Sequence, residues 1–164
     1  MTGFVEVRSV SDIEKTADIA RASWNDTYCD IIGNEQTEYM IETFQSFGAI
    51  QNALNKGEQY FLMTFMNEYC GYICIVPEGK RMFLSKLYVL PEFKRKGVAT
   101  DALEFIKEQC RISDIDTIYL TVNRNNHDAL KYYRKSGFVN IRDQVKEIGS
   151  GFVMDDHIME LTVR

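Results

Sequence analysis

The sequence has few of the features that mark linkers, membrane segments or exported proteins. Its 164 residues include only two prolines, and no run of glycine and serine or of one charge sign marks a domain boundary. No apolar run approaches the ~18 residues of a transmembrane helix. The N-terminal segment also lacks the basic region and apolar run of a signal peptide. We therefore expect a single domain over residues 1–164 that is cytoplasmic and does not bind membranes.

The four cysteines are too scattered for a metal site or a disulfide framework. Cys70 and Cys74 do not form a CxxC pair, and the two histidines lie far from both. We therefore expect free, mostly buried thiols and no bound metal. The formal net charge of −5 argues against nucleic-acid binding through the overall field and is compatible with a cationic substrate.

Hydrophobic periodicity predicts a strand and two helical regions in the N-terminal third. The strand covers residues 4–10. A helix with Ser11 as its N-cap is predicted to end near Trp24, and a second helical region over about 35–55 is broken near Gly48.

The remainder of the chain alternates strands with two helices. Strands are predicted over 59–66, 69–76, 82–90, 117–122, 138–147 and 152–163, and helices over 97–110 and 127–137. Asn126 is a suitable N-cap for the second of these helices, and Gly137 suits a left-handed C-terminal cap. The strand–helix–strand order in the middle implies a parallel crossover within an otherwise antiparallel sheet.

The segment LYVLPEFKRKGVAT, residues 87–100, joins a strand to a helix through a basic glycine loop. The first N–H groups of a helix have no intrahelical acceptor, and the helix dipole favours anions. Gly97 permits close approach of the backbone to a ligand, and Lys94, Arg95 and Lys96 add positive charge. These features suit a pyrophosphate, although a solvated basic turn explains them equally well. The segment is neither a P-loop nor a GxGxxG motif.

This loop resembles that of the GNAT superfamily of acetyl-coenzyme A-dependent N-acetyltransferases, which reads Gln/Arg-x-x-Gly-x-Gly/Ala between a strand and a helix. The chain has KRKGVA at residues 94–99. Lys94 stands where Gln or Arg is usual, so the charge is kept but a planar donor fork is absent.

A second block resembles the family element Asn-x-x-Ala-x-x-x-Tyr-x-x-x-Gly-Phe. Its positions are filled by Asn126, Ala129, Tyr133, Gly137 and Phe138. The resemblance covers about residues 59–163 well, and the segment 149–161 is similar to bacterial spermidine/spermine N-acetyltransferases. It implies an α/β (α+β) fold: a mixed, mostly antiparallel sheet of about seven strands with a central, splayed parallel pair, flanked by helices.

The resemblance also implies the contacts of acetyl-coenzyme A, the expected cosubstrate. The backbone of Leu87, Tyr88 and Val89 is expected to hold the pantetheine arm. Backbone N–H groups are expected to cradle the pyrophosphate, and these belong to Arg95, Lys96, Gly97, Val98, Ala99 and Thr100. Further coenzyme contacts are expected from Asn126, Ala129, Tyr133 and Lys135.

Tyr133 is the expected catalytic residue, because the family places this phenol near the coenzyme sulfur. A thiol has a pKa of about 8.5 and a tyrosine of about 10, so proton donation to the leaving thiolate is slightly uphill but feasible. The amine is expected to attack the thioester directly in a ternary complex. The strand segment 82–86, where many relatives carry a carboxylate base, has none here, so the base is unassigned.

The family builds its acceptor pocket largely from the first two helices and the last strands. Trp24, Asp26 and Tyr28 are the candidate lining residues, in a segment expected between the two helices. Asp155 and Asp156 are candidates to attract a polycation, but adjacent strand residues face opposite ways. The expected partner is a small-molecule amine such as spermidine, and a homodimer is left open.

Two alternatives to a polyamine acetyltransferase follow from the same residues. The missing strand carboxylate and Lys94 leave room for a non-catalytic acyl-coenzyme A-binding or regulatory domain. An acetyltransferase acting on protein amines is the other. A different nucleotide-binding protein would be distinguished by its preference for ATP or NAD over acetyl-coenzyme A.

Overall fold

The computed structural model describes residues 1–163 and contains seven strands and four α-helices within them. In chain order these are β1 (Thr2–Glu6), α1 (Val10–Phe44), α2 (Phe47–Asn55), β2 (Gln59–Phe65), β3 (Glu68–Glu78), β4 (Arg81–Val89), α3 (Val98–Ile112), β5 (Thr117–Asn123), α4 (His127–Lys135), β6 (Val139–Gly149) and β7 (Phe152–Thr162). A short 3-10 turn, Pro91–Phe93, separates β4 from α3. None of the helices in residues 1–163 is long and apolar enough to cross a membrane.

The seven strands form one mixed sheet in the order β1-β2-β3-β4-β5-β7-β6. The pairings β1/β2, β2/β3, β5/β7 and β6/β7 are antiparallel, whereas β4/β5 is parallel. The predicted fold class is thereby confirmed. The parallel ladder joins only Arg81–Phe83 to Thr117–Tyr119, so the later residues of β4 lie beyond it.

The chain divides into two compact units. The first comprises Met1–Val76 and Leu84–Gln109, and the second comprises Pro77–Phe83 and the residues from Cys110 onward. In the first unit the Phe105 ring of α3 stacks on Phe4 at 4.2 Å and meets Phe61 edge-on at 5.0 Å. In the second unit the core includes the fully buried Ile118 and Phe138.

The prediction for the first helix was wrong at both ends. Its N-cap is Ser9, not Ser11: the Ser9 hydroxyl accepts the Asp12 N–H at 3.1 Å, and the Asp12 carboxylate accepts the Ser9 N–H at 3.1 Å. Such a reciprocal capping box satisfies two helix-end donors. The first strand is correspondingly shorter than predicted and ends at Glu6.

The first helix also does not end near Trp24. The segment 23–28, expected between two helices, lies inside α1, and the helical path is interrupted only at Gly33, with φ 84° and ψ 163°. Trp24 and Tyr28 are four residues apart, so they share one helix face, and both are buried. Burial of this face outweighs the polar composition that favoured a break.

The predicted break near Gly48 and the predicted caps of the fourth helix are close to those observed. A break falls at Ser46, which caps α2 through the Ala49 N–H at 3.3 Å, two residues before Gly48. Asn126 caps α4 as predicted, accepting the Ala129 N–H at 3.3 Å. Gly137 follows α4 with φ 103°, the left-handed conformation that was expected there.

The end of β4 is held by an unusually close approach to β3. A Cβ added to Gly71 would collide with the backbone oxygen of Tyr88 and would meet Met63 Cε at 2.8 Å and Val89 Cα at 3.1 Å. A second contact is the Leu90 N–H, which donates to the Cys70 carbonyl at 2.8 Å. Gly71 therefore fixes the position of the backbone at Tyr88 and Val89.

We expect Ser9→Ala to lower the free energy of unfolding by about 1 kcal/mol, because the N-cap hydroxyl is lost. Ser11→Ala is the matched control and should change stability by less than about 0.5 kcal/mol. Urea unfolding followed by circular dichroism measures both. Equal effects of the two substitutions would contradict the assignment of Ser9 as the cap.

We expect Gly71→Ala to destabilise the chain by about 1–3 kcal/mol, because the added methyl displaces β4 backbone in a packed core. Gly48→Ala is its control: this helical glycine has open space around it, so alanine should stabilise by about 0.4–1 kcal/mol. Opposite signs in the two Tm shifts are the expected result, and a neutral Gly71→Ala would contradict the tight contact.

Candidate active site

The loop between β4 and α3 has the backbone geometry of an anion site. Arg95 and Gly97 both have positive φ, 63° and 83°, and such alternation turns successive N–H groups towards one concavity. The Asp101 N–H bonds to the Gly97 carbonyl at 3.0 Å. The N–H groups of Val98 and Ala99 therefore precede the first intrahelical bond and are available to a ligand.

The space and charge around this loop fit a pyrophosphate. A Cβ at Gly97 would meet no atom within 4 Å, so nothing in the described chain covers the loop there. Arg95, Lys96 and Thr100 are exposed beside it. Because donors, dipole and positive charge coincide, the residues present suit the diphosphate of coenzyme A.

Lys94 is partly neutralised by a residue that was expected in the acceptor pocket. Its ammonium lies 2.8 Å from the Asp26 carboxylate of α1. Both side chains are well exposed, so the pair contributes only about 0–1 kcal/mol of stability. The structure thus joins a predicted coenzyme loop to a predicted acceptor residue.

Trp24 and Tyr28, the other two predicted acceptor residues, belong to an aromatic cluster with Tyr72 and Tyr88. The Trp24 ring centroid lies 4.5 Å from Tyr28 and 5.2 Å from Tyr88, and the Tyr72 and Tyr88 centroids are 5.7 Å apart. The side chain of Tyr88 therefore belongs to this aromatic cluster, whereas the sequence prediction used only its backbone.

Hydrogen bonds fix the orientation of this cluster. The Trp24 indole N–H donates to the Tyr72 hydroxyl at 3.0 Å, and that hydroxyl donates to Gln45 Oε1 at 2.9 Å. The Tyr28 and Tyr88 hydroxyls form a hydrogen bond with each other at 2.9 Å. Burial raises the pKa of Tyr72 well above its usual value, so the phenol stays neutral and the rings present uncharged faces.

The second unit positions the residues that were predicted to act on the coenzyme from α4. Tyr133 is buried, with its ring 5.4 Å from Phe138 and 5.5 Å from Tyr132. The Asn126 oxygen is used by the helix cap, and Lys135 is exposed in the last turn. Tyr133 is thus held by packing, which suits a group that must keep one orientation.

The three buried cysteines have little nucleophilic character. All four are free, and three are buried. Burial raises the pKa of Cys70 and Cys110 to about 11 and that of Cys74 to about 12, so these thiols stay protonated at neutral pH. This agrees with direct transfer and gives no support to a covalent acyl-enzyme on those residues.

The sequence prediction did not separate the roles of Asp155 and Asp156 on β7. Asp155 lies 2.8 Å from Arg124 Nε in an ion pair. Asp156 is only 7% exposed, and its Oδ1 accepts no hydrogen bond from residues 1–163. The alternation of buried Met154, Asp156 and Ile158 along β7 is the signal that identifies the inward-facing acid.

A shallow depression of about 360 Å³ in the first unit does not involve the predicted site residues. Its lining includes Lys15, Tyr69 and Glu92. Charged side chains of both signs stand around it, and the Lys15 ammonium lies 5.8 Å from the Tyr69 ring centroid. We assign it no part in the chemistry.

Three comparisons place this geometry among known proteins. The chain matches the acetyltransferase (GNAT) family over residues 16–138. It is 26% identical to spermidine N(1)-acetyltransferase of Thermoplasma acidophilum over 92% of this chain and 96% of that protein. It is also 26% identical to N-alpha-acetyltransferase 50 of Danio rerio, over 70% of this chain and 71% of that protein.

A solved structure shares the fold over nearly the whole length. The PaiA N-acetyltransferase from Thermoplasma acidophilum, in complex with coenzyme A, superposes with a TM-score of 0.81 at 23% identity, covering 99% of each chain. The family match spans most of the chain and includes both the glycine loop and the tyrosine helix. The chain belongs to the GNAT family of acetyltransferases and uses acetyl-coenzyme A as its cosubstrate.

Proposed function

We propose that the chain transfers the acetyl group of acetyl-coenzyme A directly to a primary amine, and that the acceptor is a polyamine such as spermidine. The observation that carries the acceptor part is the neutral aromatic cluster of Trp24, Tyr28, Tyr72 and Tyr88; the exposed Asp26, paired with Lys94, lies on the same turn of α1. Ring faces attract alkylammonium groups, and a nearby carboxylate attracts a second cationic centre.

An ammonium group of the protein itself lies over a ring that adjoins the cluster. Lys86 Nζ lies 5.5 Å from the centroid of Tyr60, whose ring is stacked on Tyr72 at 6.4 Å. A cationic substrate is therefore chemically compatible with this surface. The acidic net charge of the chain and the similarity to a spermidine acetyltransferase support the same acceptor class.

For the coenzyme we propose the contacts that the family resemblance implies. The backbone at Leu87–Val89 holds the pantetheine, since the ladder with β5 ends at Phe83 and leaves later β4 groups for another partner. The diphosphate is held by the loop residues 95–100. Asn126, Ala129 and Lys135 add contacts from α4. The bound coenzyme supplies the activated acetyl group.

Tyr133 is proposed as the group that donates a proton to the departing sulfur. Its buried, packed ring keeps the hydroxyl in a fixed direction. A phenol needs no prior ionisation to donate, so this role is compatible with neutral pH. The neutral amine attacks the thioester carbonyl within the ternary complex, and orientation of the two reactants contributes much of the rate.

We expect Tyr133→Phe to lower kcat by about 10²-fold, because one proton donor is removed from the chemical step. The dissociation constant of acetyl-coenzyme A should stay within about twofold, a change of under 0.5 kcal/mol. Tyr132→Phe is the matched control and should retain kcat. Steady-state release of free thiol, together with calorimetric coenzyme binding, measures both quantities. Full activity of Tyr133→Phe would refute the assigned role.

We expect Asp26→Asn to raise KM for spermidine by about 3- to 10-fold, or ~0.7–1.4 kcal/mol. The substitution removes an attractive carboxylate and frees the Lys94 charge, and both changes repel a polycation. KM for a monoamine should change less. Asp30→Asn, one turn further along α1 and also exposed, is the control. A panel in which monoamines and spermidine react equally well would refute the polyamine assignment.

A protein amine is the second candidate acceptor. The similarity to an N-alpha-acetyltransferase of Danio rerio is the observation that favours it. Peptides with free N-termini therefore belong in the amine panel, and their preference over spermidine would select this alternative. Tight binding of acetyl-coenzyme A without thiol release for any amine or peptide would instead select a non-catalytic coenzyme-binding role.

A further inference from the structure

Asp156 is a buried carboxylate that forms no ion pair within residues 1–163. It is 7% exposed, and its Oδ1 has no hydrogen-bond partner in residues 1–163. Burial, and then the adjacent Asp155 charge, raise its pKa to about 6. Proteins rarely bury a carboxylate in this way unless it is paired or has a chemical role.

The neighbouring acid on β7 shows the contrast. Asp155 pairs with Arg124, and Arg124 also reaches Asp143 at 3.3 Å. Asp143 Oδ1 is in turn hydrogen-bonded to His157 Nδ1 at 2.6 Å. These four residues form a connected ionic network on the surface of the second unit, and Asp156 is not a member of it. A structural role therefore explains Asp155 but not Asp156.

The strands on either side of Asp156 place uncharged residues directly opposite it. Directly across the ladders lie Asn123 of β5 and Gln144 of β6, neither of which is charged. Lys146 of β6 and His157 of β7 lower the pKa of Asp156. Their effect is smaller than that of burial and of the Asp155 charge, which raise the same pKa.

Asn123 also directs its own polar groups elsewhere. Its Oδ1 accepts the Asn125 N–H at 2.9 Å, and its Nδ2 faces the Met154 sulfur at 3.9 Å, a weak acceptor. Asn123 is the last residue of β5, and the Asn126 cap of α4 begins three residues later. In the β5/β7 ladder Asp156 thus lies opposite the last residue of β5. That residue is close in sequence to those proposed to contact the coenzyme from α4.

We infer that Asp156 is the general base of the acetyl transfer, an assignment that rests on the proposed function. Its carboxylate takes the proton of the attacking amine nitrogen as the nitrogen–carbon bond forms. The carbon–sulfur bond then breaks, and the sulfur takes the proton donated by Tyr133. Water afterwards carries the proton of Asp156 back to the Tyr133 oxygen, so the neutral amine and the thioester yield an amide and a thiol.

The chemistry of the chain favours this acid over the alternatives. The strand segment 82–86 contains no carboxylate. A base works best when its pKa lies close to the operating pH, and the carboxyl of Asp156 is shifted in that direction. The carboxylate of Asp156 takes part in none of the ion pairs of the second unit, so it is left to accept the amine proton.

The test compares Asp156→Asn with Asp155→Asn in the full chain. For Asp156→Asn we expect kcat/KM for the best amine to fall by about 10²- to 10³-fold, the range of a lost base. Coenzyme affinity should stay within about twofold. The acidic limb of the pH–rate profile, near pH 6 in the unsubstituted chain, should disappear. Asp155→Asn should keep an acidic limb, but at a lower pH, because the Asp155 charge no longer raises the pKa of Asp156. Activity of Asp156→Asn within about threefold of the original, or an unchanged acidic limb, overturns the inference.

Stability provides a readout that does not depend on activity. The folded-state pKa of Asp156 lies above its ordinary value, so the stability of the unsubstituted chain should fall as pH rises from about 4 through 6. Asp156→Asn removes this penalty, and its Tm at pH 7 should be higher by roughly 3–8 °C. A lower Tm would show that the carboxylate is needed for folding and would overturn the inference.

The order of measurements separates this inference from the proposed function. Thiol release by the unsubstituted chain is measured first with the amine and peptide panel. No release for any acceptor refutes the proposed function, and the assignment of Asp156 with it. Release that Asp156→Asn leaves intact refutes the assignment of Asp156 alone.

Discussion

Every backbone N–H and C=O group needs a hydrogen-bond partner, and this need is the main constraint on the structure at the middle of the sheet. The parallel ladder between β4 and β5 stops after Phe83 and Tyr119, while β4 continues to Val89. Its remaining groups must bond to something other than β5. The tight packing at Gly71 keeps this part of β4 in place, and the left-handed loop that follows directs the donors of α3 outward. The coenzyme contacts proposed for β4 and for this loop rest on both features.

The buried titratable groups described above are of two kinds, neutral and ionised. Tyr72 and the three buried cysteines are kept uncharged by burial, so they add shape and hydrogen bonds without altering the local field. Asp156 differs, because a carboxyl with a pKa of about 6 is largely ionised at neutral pH. The fold thus tolerates one unfavourable charge, and stability given up at a single residue is typical of functional sites.

Features set by neighbouring residues could be predicted from the sequence, and features set by distant ones could not. The loop at 94–99, the Asn126 cap and Gly137 follow from local chemistry and were found where expected. The end of the first helix was misplaced because Trp24 and Tyr28 are kept helical by packing against Tyr72 and Tyr88, which the local pattern does not reveal. The isolation of Asp156 likewise depends on which residues face it across two ladders.

The hydrogen-bonded chain from Trp24 through Tyr72 to Gln45 has a consequence for the order of folding. Its two links close loops of 48 and 27 residues, whereas the β2–β3 hairpin closes through a turn of two residues at Met66 and Asn67. Long loops carry the larger entropic cost of closure, and non-local contacts form slowly. We therefore expect the hairpin, which carries Tyr72, to form before the contacts of Tyr72 with Trp24 and Gln45.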